Sequence, residues 1–219
     1  MQLIDDLRAE HDLIEQVAGS LRTYVDRRAR GEGDLRDGER FMRFFRLFAG
    51  DFHHAKEEDT LFPALREKAD LPERGPIAVL TAEHRRMAGV LDALGALIGE
   101  PVLDAGAAKK LNALAIEYAH GLWHHIDAEN SVLFPESEGR LLKKGVRELP
   151  SREMTAAERA ARADGEALML RYPPSPDPTI VRGEGCVSCR AFADSCRGLE
   201  REWWNEWEWE EFEDHLSGE

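Results

Sequence analysis

The chain has 219 residues, 42% of them hydrophobic, which is enough for one packed core and an appendage. Its 43 acidic residues outnumber 29 basic ones, and the formal net charge of −14 disfavours binding to nucleic acid or to an anionic membrane surface, since both need clustered Lys and Arg. No stretch approaches the ~20 apolar residues needed to cross a bilayer, and acidic residues stand where a signal peptide has basic ones, so we expect a cytoplasmic protein.

The N-terminal part of the chain predicts two long helices. In residues 2–30, apolar side chains recur every three or four positions and form one inward stripe that includes His11. After a glycine-containing turn, residues 36–68 repeat this pattern, and His53 and Glu57 fall on the apolar face. In both helices, polar side chains are therefore expected to point into the core.

Two further helices are predicted after a Pro- and Gly-containing break. Residues 77–98 form an apolar stripe that includes His84. Residues 105–136 form another, with His125 and Glu129 on the inward face. Four long amphipathic helices joined by short loops predict an all-α fold, an up-down-up-down four-helix bundle built from a duplicated helical hairpin.

The composition changes after the fourth helix and predicts two parts. We expect the bundle to occupy residues 1–145 and a C-terminal helical or irregular extension to occupy residues 146–219. In the extension, Thr155 is the predicted N-cap of a short Ala- and Arg-rich helix, and residues 172–178 form a Pro-rich linker. A cysteine cluster and a Trp-rich acidic helix follow.

One stretch of the sequence occurs twice. Residues 53–63 read HHAKEEDTLFP, and residues 124–135 read HHIDAENSVLFP. Aligned on Leu-Phe-Pro, the copies pair His53 with His125 and Glu57 with Glu129. A His and a Glu four residues apart lie on one face of a helix and reach the same space.

A histidine precedes each copy by a similar distance. Ala9-Glu10-His11 lies 42 residues before His53, and Ala82-Glu83-His84 lies 41 before His125. Four imidazoles and two carboxylates in a bundle core would each be costly to bury without partners, and two cations would remove that cost. Nitrogen and carboxylate ligands suit iron, manganese or zinc, and this number of ligands leaves an open coordination position. The sequence therefore predicts a two-metal site that binds a small ligand.

These residues resemble the hemerythrin-like (HHE cation-binding) proteins, whose hallmark is His-x3-Glu-x3-Leu-Phe-Pro in the second and fourth helices. The resemblance covers roughly residues 1–142, and the subtype closest in motif is the di-iron protein implicated in repair of iron–sulfur centres. It implies two iron ions with a bridging oxo or hydroxo group. It also implies terminal ligands at His11, His53, His84 and His125, with Glu57 and Glu129 bridging.

The sequence departs from the oxygen-carrying hemerythrins at one position. The carriers have a further His one turn along the third helix, where this chain has Leu80 and Ala88. No fifth terminal imidazole is therefore expected, which disfavours reversible oxygen carriage and shifts the interpretation toward sensing, repair or reduction.

Several polar residues beside the ligands are predicted to support them or to lie at the surface. His54 and Glu58 form a second His-x3-Glu, rotated by ~100° from the first. The Leu-Phe-Pro alignment and the apolar stripe favour His53 and Glu57 as the ligands. The residues assigned to this supporting group are Tyr118, His54, Glu58 and His124.

The tail carries a weaker signal. Cys186, Cys189 and Cys196 are candidates for a redox or metal role, although a fourth ligand for zinc or an iron–sulfur cluster is lacking nearby. Trp203 and Trp207 share a face of the last predicted helix, which favours docking on the bundle or a homodimer through the tail.

Three classes of function fit the predicted site. The first is a binding or sensing protein for a diatomic ligand, O2 or NO, in stress response or iron handling. The second is a redox enzyme (an oxidase, a peroxidase or an NO-reducing protein) supplied by a redox partner. The third is an iron donor to damaged iron–sulfur proteins, which the resemblance suggests.

Overall fold

The computed structural model describes residues 1–71 and 75–175, and the regular elements in those ranges are all helices. We number them α1 (Gln2–Ala29), α2 (residues 35–68), α3 (Pro76–Ile98), α4 (residues 105–143) and α5 (Ala156–Arg171). The all-α prediction is confirmed. Among the described helices, none is both long enough and apolar enough to cross a bilayer.

Helices α2 and α4 change their winding along their length. In α2, α-helical Leu35–Arg43 leads into π-helical Phe44–His54, and a second π-helical segment, Glu57–Leu61, precedes α-helical Phe62–Lys68. In α4, the order is α-helical Ala105–Ala128, π-helical Glu129–Leu133 and α-helical Phe134–Lys143. Wide π turns inside α-helices are rare and often occur at functional sites.

The wide turns explain how both helices continue past a proline. Pro63 and Pro135 each stand at the start of an α-helical segment, directly after a π-helical one. Proline lacks an N–H and clashes with the carbonyl group four residues earlier in a regular α-helix. A turn with i→i+5 hydrogen bonds shifts that carbonyl group away, so the chain stays helical beyond the Leu-Phe-Pro motif.

The apolar core consists of two clusters of buried side chains. The first cluster is formed by buried side chains from the second halves of α1 and α3, the start of α2 and most of α4. The second cluster is formed by buried side chains from the opposite ends of these four helices. On α1, His11 lies between Leu7 of one cluster and Ile14 of the other, and on α3, His84 lies between Leu80 and Met87. A buried polar layer therefore separates two hydrophobic clusters.

Helix α5 packs against α1 and the π-helical segment Phe44–His54. The helix begins after Thr155, whose hydroxyl accepts a hydrogen bond from the backbone N–H of Glu158, while the Glu158 carboxylate accepts one from the backbone N–H of Thr155. Beyond its end, the buried hydroxyl of Tyr172 donates to Asp37 Oδ2 at 2.8 Å. The described part of the extension is thus fixed to α1 and α2.

The tight contact between α5 and α2 predicts the effect of one substitution. A Cβ atom at Gly165 would lie 2.4 Å from the Phe44 ring, which is fully buried and has no room to move. Gly165→Ala is expected to lower the free energy of unfolding by about 2–3 kcal/mol through overpacking. Gly89→Ala on α3 is the control and is expected to stabilise slightly, because an added Cβ atom there would meet nothing within 4 Å beyond the backbone of its own helix and its chain neighbours. Urea denaturation measures both, and equal effects would contradict this packing.

The predictions made for the tail concern residues outside the described ranges. These are the cysteine cluster Cys186, Cys189 and Cys196, the Trp-rich helix and the homodimer through it. They stay predictions, as does the cytoplasmic location.

Candidate metal centre

The six predicted metal ligands come from four helices and meet in the polar layer. None of the six is more than 6% exposed: His11, His53, Glu57, His84, His125 and Glu129. Two overlapping groups of four residues have ligand atoms within 4.8 Å of one another. The first group is His11, His53, Glu57 and Glu129, and the second is His54, Glu57, His84 and His125.

The two carboxylates lie between the imidazoles of both groups. Oε1 of Glu57 is 3.5 Å from His53 Nε2, while its Oε2 is 3.6 Å from His84 Nε2. Oε2 of Glu129 is 3.2 Å from His11 Nε2 and 3.4 Å from His125 Nε2. Each carboxylate therefore faces imidazoles of both groups, which is the placement a bridging ligand needs.

Four polar side chains orient the four imidazoles. Each of these imidazoles donates from its Nδ1 to an oxygen 2.6–2.9 Å away, so its Nε2 is the free ligand atom facing the centre. Such outer hydrogen bonds fix the tautomer and the ring orientation of a metal-binding histidine. The pairs are His53 with Glu10, His125 with Glu83, His84 with Glu58 and His11 with Asn130.

The Leu-Phe-Pro motif contributes a second form of support. The Phe134 ring stacks on His11 with centroids 5.4 Å apart and 7° between planes. The Phe62 ring lies parallel to His84, with 13° between planes and centroids 6.3 Å apart. The phenylalanine of each motif thus covers the histidine contributed by the other half, which links the motif to the site.

The centre contains buried polar atoms that protein groups leave unsatisfied. Among the described residues, no hydrogen-bond partner meets His11 Nε2 or any of the four carboxylate oxygens of Glu57 and Glu129. A buried, unpaired carboxylate opposes folding by several kcal/mol. Cations within the two groups would satisfy these atoms, so the residues fit a pair of bound metal ions.

Burial adjusts the protonation of the donors. It lowers the pKa of His53 well below its ordinary value and that of His125 to about 4, so both imidazoles are neutral at pH 7. Burial, with the neighbouring charge of Glu129, raises the pKa of Glu57 well above its usual range. Neutral imidazole is the form that binds metal, and a cation favours the ionised form of the carboxyl groups.

The residues predicted to support the ligands have different positions. Glu58 accepts a hydrogen bond of 2.6 Å from His84, one of the predicted ligands. His124 is exposed. The Tyr118 ring is buried edge-on against Phe45 at 4.9 Å, and its contact with a bound ligand stays a prediction. His54 lies closer to the centre than expected, within the second group of donors.

Sequence reasoning did not assign roles to Glu10, Glu83, Asn130 and Lys56. A signal for the first two was available, because Ala-Glu-His occurs before both predicted ligands on α1 and α3. Lys56 is 2% exposed, and its Nζ lies 2.5 Å from Glu10 Oε1. The corresponding residue in the second half is Ala128, so the two halves differ here.

This difference predicts contrasting effects of two matching substitutions. Glu10→Gln and Glu83→Gln each weaken the acceptor for one ligand histidine, and each is expected to reduce metal affinity by about 10–100-fold. Only Glu10→Gln also leaves the buried Lys56 ammonium without its carboxylate, so only this variant is expected to lose about 2–3 kcal/mol in the metal-free state. Metal titration and urea denaturation measure the two effects, and equal stability of the variants would contradict the role of Lys56.

Comparisons with known proteins agree with this arrangement. The family described as hemerythrin HHE cation binding domain matches residues 2–137. The chain is 34% identical over 92 residues to the iron-sulfur cluster repair protein YtfE of Edwardsiella ictaluri, covering 41% of this chain and 42% of that one. It is also 34% identical over 88 residues to the protein of the same name from Yersinia pestis, covering 39% and 40%. The matches thus span about two-fifths of these relatives. No solved structure gave a significant match.

Proposed function

Because the chain belongs to the family of hemerythrin HHE cation-binding domains, we propose that it holds two iron ions and binds a small diatomic ligand, O2 or NO, at that centre. The observation that carries this proposal is the sharing of Glu57 between two groups of four donors. One group alone would describe a single metal site. Two groups with a common carboxylate describe a two-metal site.

The distances support the following ligand roles. His11 and His53 would hold the first ion, His84 and His125 the second, and Glu57 and Glu129 would bridge the two. Iron, when bound, supplies the redox chemistry and the affinity for a diatomic ligand. The protein keeps His11, His53 and His125 neutral by burial, which lowers the pKa of each. It orients all four imidazoles from outside and surrounds the site with apolar side chains that exclude water.

The fold proposed to carry the site is an up-down-up-down bundle of α1 to α4 over residues 1–145, with residues 146–219 as an extension. Packing of α1 against α4, of α3 against α4, and of α2 against α3 supports this arrangement. So does the convergence of ligands from all four helices.

We further propose that the centre acts in the handling of iron for the repair of iron–sulfur clusters, and that iron–sulfur proteins are its partners. The support is the identity of 34% to relatives named for that repair. In this role the centre would release iron to a damaged cluster protein, and the bridging carboxylates Glu57 and Glu129 would hold that iron until transfer.

A loading experiment tests the binding of a diatomic ligand. Protein loaded anaerobically with Fe(II) is mixed with one equivalent of O2 or NO, and its visible spectrum is recorded before and after the gas is removed. Reversible spectral changes are expected for a binding protein. In a parallel sample with excess gas and a chemical reductant, continuous consumption of both would identify a redox enzyme. Absence of any change with either gas would contradict diatomic binding.

The repair role has its own assay. The loaded protein is incubated with an iron–sulfur enzyme whose cluster was damaged by oxidation, and recovery of that enzyme's activity is measured. Recovery with the loaded protein but not with an equal amount of free Fe(II) is expected. Equal recovery from both would contradict a specific repair role.

A further inference from the structure

His54 breaks the correspondence between the two halves of the centre. Every ligand has a counterpart in the duplicated sequence: His11 with His84, His53 with His125, and Glu57 with Glu129. The residue at the position of His54 in the second half is Ile126, a buried apolar side chain. The first half therefore contains an imidazole that the second half lacks.

This additional imidazole lies among the donors of the second group. A ring nitrogen of His54 lies within 4.8 Å of ligand atoms of Glu57, His84 and His125. Its ring stacks on that of His84, with centroids 3.8 Å apart and 9° between planes. The Nε2 atoms of His84 and His125 are themselves only 2.9 Å apart. Three imidazoles thus converge on one position.

The winding of α2 favours this placement. On a regular α-helix, His54 would be rotated ~100° from His53 and directed away from the centre. The segment Phe44–His54 is π-helical, and its i→i+5 turn rotates each residue less than an α-helical turn does. In the second half, residues before His125 are α-helical, within Ala105–Ala128. The unusual winding and the additional imidazole therefore occur in the same half.

We propose that His54 is a third imidazole ligand of the second metal ion, which gives the centre five imidazoles in all. This inference rests on the proposed two-metal function. It differs from the sequence-based expectation of four, and the fifth comes from α2 and not from the third helix, where oxygen carriers have it. The two ions are then unequal: the ion held by His11 and His53 has fewer protein donors and keeps the open position for the diatomic ligand.

Replacing His54 by the residue of the other half tests this assignment. In His54→Ile, the two halves carry matching side chains at the ligand positions, and His54→Gln is the second variant should the isoleucine impair folding. His124→Ile, which removes an exposed histidine next to a ligand, is the matched control. Circular dichroism of the metal-free proteins establishes that each variant folds.

Two measurements, neither of which depends on catalytic activity, test whether His54 is a metal ligand. In an anaerobic titration, His54→Ile is expected to weaken binding of the second ion about tenfold or more, whereas His124→Ile leaves it unchanged. In Mössbauer spectra of the loaded proteins, the wild type is expected to show two distinct iron environments, and His54→Ile two nearly equal ones. Unchanged affinity and unchanged spectra in His54→Ile would overturn the assignment while leaving the two-metal function intact. A wild type that binds fewer than two ions would overturn both.

Discussion

Replacing Glu57 and Glu129 together by glutamine is expected to abolish binding of both metal ions and to stabilise the metal-free protein. The carboxylate oxygens are buried without hydrogen-bond partners, so in the absence of metal they only oppose folding. A neutral amide of similar size removes most of that cost, and we expect the free energy of unfolding to rise by about 2–4 kcal/mol. Urea denaturation in the presence of a chelator measures the change.

The gain in the free energy of unfolding of the double variant should increase with pH. Burial raises the pKa of both carboxyl groups well above the usual value, so their ionisation opposes folding above that value. Below about pH 4, the groups are protonated in the folded and unfolded states alike, and the advantage of the double variant vanishes. It is largest at pH values above the raised pKa. Glu117→Gln, an exposed glutamate on α4, is the control. A double variant that is less stable than wild type without metal would contradict this account.

Loading the wild-type protein with metal is expected to raise its melting temperature by roughly 15–30 °C. Each ion that binds only the folded state at 1,000 times its Kd contributes about 4 kcal/mol, and two ions contribute about 8. For a chain of this size, each kcal/mol shifts the melting temperature by about 2–4 °C. Differential scanning calorimetry with Fe(II) and with chelator measures the shift.

The double variant is the matched control for this experiment, since it keeps the fold but lacks the bridging carboxylates. Its melting temperature is expected to be the same with iron and with chelator. A wild type that also shows no shift would mean that the polar layer holds no metal under these conditions, and the metal assignment would be wrong.

The repeated motif predicts much of the site from the sequence. The fixed distance from His53 to Glu57, and its repetition at His125 and Glu129, identify side chains on one helix face without any knowledge of the fold. The preceding histidines on α1 and α3 are identified by their position in the apolar stripes. Local spacing determines these relations, and the structure brings the same six residues together.

The position of His54 was not predictable from the same rules. The α-helical period places it ~100° away from His53, whereas in the structure Phe44–His54 is π-helical. Phe44, the first residue of that segment, packs against α5, which is far away in the sequence. The expectation that His54 points away from the centre therefore followed from a regular α-helical geometry that α2 does not have.

Partners from other helices were equally hard to predict. Glu10 lies on α1 but orients His53 on α2, and Asn130 on α4 orients His11 on α1. The sequence shows which residues repeat, whereas the pairing across helices depends on how the helices pack. The packing surface of α5 was unpredictable for the same reason, since its contact depends on Gly165 meeting the buried Phe44 ring.

The most direct test of the two-metal centre is an anaerobic titration of the full chain with Fe(II), followed by removal of free metal and measurement of iron per chain. Two irons per chain are expected for the wild type and none for the Glu57→Gln, Glu129→Gln double variant, because both groups of donors depend on these carboxylates. Fewer than two irons per chain in the wild type, or full binding by the double variant, would contradict a two-iron centre at this site.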